Sequence, residues 1–305
     1  MKLCTFLKSR LDSVRRVTRE TLQQIMVALG PSHLATLVKE MMALLTRGFE
    51  VHVLVYTVHS VMVALKGMFK AGDIDGCLQD ILEVCQKDLF GSLAEEKEVV
   101  KIARNVQEAR STKSFHTFSL LAQFISDSCL TDLLLPLKQI LTSSFSHKTI
   151  SRVSECLRHV VMGVTDNTFV SVESLLIFTY GVTSDSIPEL TSAVKKKELT
   201  PTQREKLSRR QVDTFIIPAA PRTRSGYSGA QSGSGPESFT RMYGAITATA
   251  KVSTNTNAHV LVEFGLRLFH TLLKKERLRS GDYRGFVDPL VPMITNCLSA
   301  PQVKV

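Results

Sequence analysis

The sequence predicts an all-α fold, a HEAT- or armadillo-like α-solenoid of stacked antiparallel helix pairs carrying a disordered insertion. Apolar residues recur at steps of three and four along most of the 305 residues, the signature of one buried helix face after another. These stripes are joined by short turns bearing Gly, Asp, Asn or Ser, and no strand-like alternation or Asn-Gly hairpin interrupts them. They also pair at roughly 40-residue intervals without strict sequence identity, the habit of degenerate helical repeats. An irregular helical bundle is the other architecture compatible with the same stripes.

The first helix is read from Leu7, Leu11, Val14, Thr18, Leu22, Ile25 and Leu29, and Gly30-Pro31 ends it. Pro31 suits a first helical turn, and Leu34, Leu37, Val38, Met41, Leu44 and Leu45 carry a second helix to a glycine stop at Arg47-Gly48. Val51, Leu54, Val55, Val58, Val61, Met62 and Leu65 form a third. It is apolar enough to be covered on more than one side. Further stripes run at Ile74–Cys85, Leu93–Val106, Phe115–Ile125, Leu133–Leu141, Val153–Val164 and Val172–Tyr180. Helix resumes with His259, Val262, Leu266, Phe269 and Leu272, then with Val287, Leu290, Ile294 and Leu298.

Between residues 185 and 256 the periodicity gives way to a lysine run, prolines and a Gly/Ser tract, the composition of flexible chain. The expected organisation is therefore helical repeats over 1–184, a disordered basic loop over 185–256, and more repeats over 257–305. The last residues carry no polar capping repeat, so the sequence reads as a segment of something longer.

Formal net charge is +10, which favours polyanionic partners. The loop contributes half of it, with eleven Lys/Arg against six Asp/Glu. The longest apolar run, Val51 to Leu65, is broken by His52, His59 and Ser60 and is too short to span a bilayer, and the first residues do not form a secretory leader. Six dispersed cysteines, without a C-x-x-C pair, point to a reducing compartment.

No catalytic, cofactor or metal signature is present. His52 and His59 lie two helical turns apart, yet no third ligand sits at metal spacing, so they read as packing histidines satisfied by neighbouring groups. Cys77 and Cys85 read as buried small hydrophobes. Glu95, Glu96 and Glu98 open a helix, where acids favour the dipole. The Gly226 to Gly235 tract lacks the G-K-S/T ending of a phosphate-binding loop. The residues that suggest binding are basic. Lys8, Arg15, Arg16 and Arg19 lie opposite the apolar stripe of the first helix, as either a solvated face or a ridge for RNA phosphates. Lys195, Lys196 and Lys197, with Arg209 and Arg210, read as a soluble linker, an import signal or a phosphate-binding tail.

Leu29-Gly30, and then Arg47-Gly48-Phe49-Glu50-Val51-His52-Val53-Leu54-Val55-Tyr56-Thr57-Val58-His59, resemble the large HEAT-repeat subunit of the small-subunit processome, the down-regulated-in-metastasis family. Gly72-Asp73-Ile74-Asp75-Gly76-Cys77-Leu78, Leu89-Phe90-Gly91, Leu135-Pro136-Leu137-Lys138 and Gly265-Leu266-Arg267-Leu268 are similar to it as well. These are structural signatures. The resemblance implies a long non-enzymatic nucleolar scaffold, of which this chain is a segment, supporting processing of the small-subunit rRNA precursor. Its implied partners are pre-ribosomal RNA, a small nucleolar ribonucleoprotein and other processome proteins, with no membrane, cofactor or small-molecule substrate. A HEAT-type transport receptor or protein-binding scaffold that holds no RNA is the alternative.

Overall fold

The apolar stripes within the described residues become helices, and the computed structural model shows how these are covered. It describes residues 2–90, 107–110, 113–191, 257–279 and 282–298. Among the described residues there are eleven α-helices and no strand. They are α1 (Asp12–Leu29), α2 (Leu34–Leu44), α3 (Phe49–Leu65), α4 (Leu78–Leu89), α5 (Lys113–Phe124), α6 (Leu130–Ser143), α7 (His147–Asp166), α8 (Val172–Thr191), α9 (Ala258–Lys274), α10 (Arg284–Val287) and α11 (Leu290–Leu298). Single 3-10 turns precede several of them, the longest at Lys2–Lys8. The stripe expected at 93–106 lies outside the described residues, as do 192–256 and 299–305.

The chain divides into two compact units, one of Met1–Ile187 with Asn257–Val305 and one of Pro188–Thr256. In the first unit the helices from α1 to α5, and α7, each pack on the helix two places ahead. The odd-numbered helices form a row, with α1 on α3, α3 on α5, α5 on α7 and α7 on α9. A second row runs from α2 to α4 to α6, and Lys138 of α6 reaches Asp185 of α8 at 3.9 Å. Contact between helices that are not sequence neighbours is what stacked helix pairs produce, and the core continues through them without a break.

Helix α3 lies inside this stack. Its buried residues, among them Val51, Val53, Leu54, Val55, Val58 and Val61, point to every side of the helix, as expected for an element with neighbours α1, α4 and α5. Gly30 stops α1 with a φ of +87°, and Gly48 has a φ of +50°. Gly48 opens α3, whereas α2 has already ended at Leu44, so the expected glycine stop belongs to the next helix.

Two further expectations are corrected. The buried face of α1 is Arg15, Thr18, Arg19, Leu22 and Met26, while Leu11 and Leu29 face solvent. The helix is turned away from the predicted stripe because its two arginines have a buried partner elsewhere in the fold. Helix α8 runs on through Pro188 to Thr191, beyond Tyr180 and into the stretch read as loop from residue 185.

Helix ends leave carbonyls without partners, and side chains from later in the chain serve them. Arg152 donates to Leu89 O at the end of α4 (2.9 Å). Asn167 donates to Ala122 O and Ile125 O at the end of α5 (2.9 Å each). Asn257 donates to Leu141 O and Ser144 O at the end of α6 (2.7 and 2.9 Å). Arg277 donates to Thr165 O and Asn167 O at the end of α7 (3.2 and 3.3 Å). The stack is thus tied by hydrogen bonds at its edges as well as by apolar burial. Its closest approaches occur at Gly163, where a Cβ would overlap the Ser119 carbonyl of α5, and at Gly265, where it would overlap the Thr183 hydroxyl of α8.

Candidate nucleic-acid interface

The basic groups of the first helix divide. Arg15 is fully buried, and its Nε and Nη2 donate to the two oxygens of Glu108 at 2.9 and 2.7 Å. Its Nη1 donates to the carbonyls of Ser9 and Arg10. Arg19, 8% exposed, donates to the same carboxylate at 3.1 Å and lies 4.3 Å from the centroid of the Tyr56 ring. Burial alone would push the Glu108 carboxyl up, but the Arg15 hydrogen bonds and the two guanidinium charges hold it below the usual carboxylate range. Conversely, the hydrogen bonds that Arg15 donates to Glu108 push Arg15 up, and burial pulls Arg19 down. The ridge expected from Lys8, Arg15, Arg16 and Arg19 is therefore corrected. Arg15 and Arg19 clamp the 107–110 turn to α1, and only Lys8 and Arg16 face solvent. Lys195, Lys196, Lys197, Arg209 and Arg210 lie outside the described residues.

The two histidines of α3 have separate partners. His52 Nδ1 is 2.6 Å from Asp88 Oδ1, and the Ser114 hydroxyl donates to the other oxygen of Asp88. The carboxylate stands between hydroxyl and imidazole, so the imidazole does not reach the serine, and all three residues are buried. The arrangement joins α3, α4 and α5 as a polar node in the core. The six cysteines are free. Burial pushes the Cys77 thiol up to about 12, the opposite of an activated nucleophile. Among the described residues no group of three or more His, Cys, Asp and Glu is placed to hold a metal.

His59 takes part in an arrangement that sequence reading did not find. The rings of His59 on α3, His116 on α5 and His159 on α7 follow one another at centroid separations of 6.1 and 5.0 Å. His59 and His159 are each 8% exposed, whereas His116 is at the surface. Burial, and then the charges of Lys113 and His116, lower His59 to about 4. Burial, and then His116, lower His159 as well. Both are neutral at physiological pH. One turn from His116, Lys113 lies 5.8 Å from the Tyr56 ring.

Beside this row, α7 and α9 border a cleft of about 240 Å³ lined by Ser151, Ser154, Glu155, Arg158, Glu263 and Arg267. Its arginines pair within their own helices, Arg158 with Glu155 and Arg267 with Glu263. Lys113, Arg158 and Arg267 thus occupy three successive helices of the odd-numbered row. They lie far apart in sequence, and only the stacking of α5, α7 and α9 brings them into one series.

The sequence model of the U3 small nucleolar RNA-associated protein 20 domain matches residues 1–183. Two curated relatives carry the name U3 small nucleolar RNA-associated protein 20. That of Schizosaccharomyces pombe is 30% identical over 197 residues, covering 64% of this chain. That of Saccharomyces cerevisiae is 32% identical over 197 residues, covering 65% of it. The matched stretch is 8% of the length of each relative.

Proposed function

The chain belongs to the U3 small nucleolar RNA-associated protein 20 family, and from that premise we propose that it is a segment of a non-catalytic scaffold of the small-subunit processome, supporting processing of the small-subunit rRNA precursor in the nucleolus. The observation that carries the reading is the family match laid on a helical solenoid. Both relatives are named for association with U3 small nucleolar RNA, and stacked helix pairs present long surfaces suited to holding many partners. The motif from Arg47 to His59 lies largely on α3, where its buried residues are accounted for by packing. His52, Asp88 and Ser114 form a buried hydrogen-bonded node that joins α3, α4 and α5, in keeping with a part played by packing.

The partners of this reading are pre-ribosomal RNA, the U3 small nucleolar ribonucleoprotein and other processome proteins. Lys8 and Arg16, at the surface, and the basic residues Lys195, Lys196, Lys197, Arg209 and Arg210 supply contacts for phosphates. The test is affinity capture of the tagged full-length protein from nuclear extract. Recovery of U3 RNA, precursor rRNA and processome proteins is expected. Recovery of transport cargo or folded protein partners without RNA would overturn the proposal.

A further inference from the structure

The corner where the chain enters α1 combines exposed apolar surface with unpaired charge. In the 3-10 turn Lys2–Lys8 the side chains of Cys4 and Leu7 are buried, whereas the Phe6 ring is 55% exposed. Leu11, the residue before α1, is 64% exposed. A single apolar side chain at a surface needs no explanation, but a phenyl ring and an isobutyl group turned outward from one short turn mark a place of contact.

The same turn carries Lys8 and Arg10 at the surface, and neither forms an ion pair among the described residues. Asp12, the acid in the first turn of α1, is engaged by Arg15 at 3.2 Å. The backbone that holds these side chains is fixed. Ser9 N donates to Phe6 O at 3.1 Å and Leu11 N to Ser9 Oγ at 3.2 Å. Nη1 of Arg15 donates to the carbonyls of Ser9 and Arg10 at 3.0 and 3.1 Å, so the turn is tied to the buried pair of Arg15 with Glu108. A ligand meets a surface that is already ordered, and little is lost in ordering it on binding.

Two cations without counter-charges call for an anion, and the ring selects among anions. An acidic peptide would satisfy Lys8 and Arg10 and make no use of an aromatic face, while a duplex keeps the faces of its bases inside the stack. Single-stranded RNA uses both, since its phosphates meet cations and each of its bases offers a face for stacking. We infer that the corner formed by Phe6, Lys8, Arg10 and Leu11 binds single-stranded RNA, with a base stacked on the Phe6 ring and the flanking phosphates on Lys8 and Arg10. The inference rests on the assembly reading and goes past it in assigning a base contact to Phe6 and a phosphate contact to Arg10.

The experiment is fluorescence anisotropy of a labelled, mixed-sequence single-stranded RNA titrated with the full chain, beside an abasic strand of the same length and backbone. Phe6→Ala is expected to weaken RNA binding about fivefold to a hundredfold and to leave binding of the abasic strand unchanged. Phe6→Tyr, which keeps a ring, is expected to bind as the wild type does, and Phe6→Leu is expected to fail as Phe6→Ala does. Lys8→Ala and Arg10→Ala are each expected to reduce the slope of log K against log salt by about 0.7, as for one phosphate contact. Lys87→Ala, whose ammonium pairs with Glu83 on α4, is expected to leave the slope unchanged. Equal affinity of the wild-type chain for both strands, or full binding by Phe6→Leu, overturns the base contact. Unchanged slopes in the Lys8 and Arg10 variants, or a matching change in Lys87→Ala, overturn the phosphate contacts. Displacement of RNA by polyglutamate at equal charge concentration would assign the corner to an acidic protein and overturns it as well. Absence of RNA binding at low salt also overturns it, while capture of U3 RNA by the full-length protein judges the assembly reading separately.

Discussion

Replacing Glu108 by glutamine tests the reading of α1 most directly. The side chain is 1% exposed and accepts from two guanidinium groups that are themselves 1% and 10% exposed. Glutamine keeps the shape and removes the charge, so Arg15 and Arg19 stay buried with only carbonyls, Asp12 and the Tyr56 ring around them. Removing one partner of a buried ionic group costs about 3–5 kcal/mol, a large part of the roughly 5–15 kcal/mol that keeps a domain folded. With a urea slope of about 2 kcal/mol/M, the midpoint falls by about 2 M. Because the cluster is shielded from solvent, the loss should be nearly the same at low and high salt. The triple variant Arg15→Met/Arg19→Met/Glu108→Leu is expected to recover most of it, since an apolar replacement of the whole cluster leaves no charge unmatched. A midpoint shift below about 0.5 M for Glu108→Gln, equivalent to roughly 1 kcal/mol, would refute the clamp.

Gly163→Ala is expected to cost about 1–3 kcal/mol in thermal unfolding, because the new methyl overlaps the Ser119 carbonyl and lies 2.7 Å from the Ala122 Cβ. The matching change Gly285→Ala, with open space around it, should be neutral or slightly stabilising. A neutral Gly163→Ala would mean that α5 and α7 are not so close. The lowered pKa of His59 gives a pH dependence with a definite sign. Below about 6.5 the unfolded chain takes up a proton that the folded chain refuses until about 4. Stability is therefore full above pH 6.5 and falls by about 3 kcal/mol as the pH drops toward 4. Urea midpoints measured across that window should decline, and His59→Gln should flatten the decline. An equal slope in the variant would show that His59 is not the group responsible.

The helices were legible because the forces that define them act over three or four residues. The all-round apolar character of Val51 to Leu65 already announced a helix covered on several sides, and Gly30 marked the end of α1 through the positive φ that only glycine adopts freely. The resemblance read from Arg47 to His59 led to the same family as the match over residues 1–183. From Val51 to His59 that segment is almost wholly buried, which explains why its motif identifies kin and no site.

The charges were not legible. Arg15 and Glu108 are 93 residues apart, and local periodicity cannot report that a carboxylate will arrive against one face of α1. A helix wheel places arginines outward by default, since an unmatched buried charge is costly. Here the match comes from another part of the stack, and the helix turns to meet it. The cleft between α7 and α9 arises in the same way, since Arg158 and Arg267 line it together only because the two helices pack on each other. By itself the sequence determined the helices and the family, through short-range periodicity and motif order. Which polar groups are buried, and which share a surface, was decided by the stacking of helices that are not neighbours in the chain.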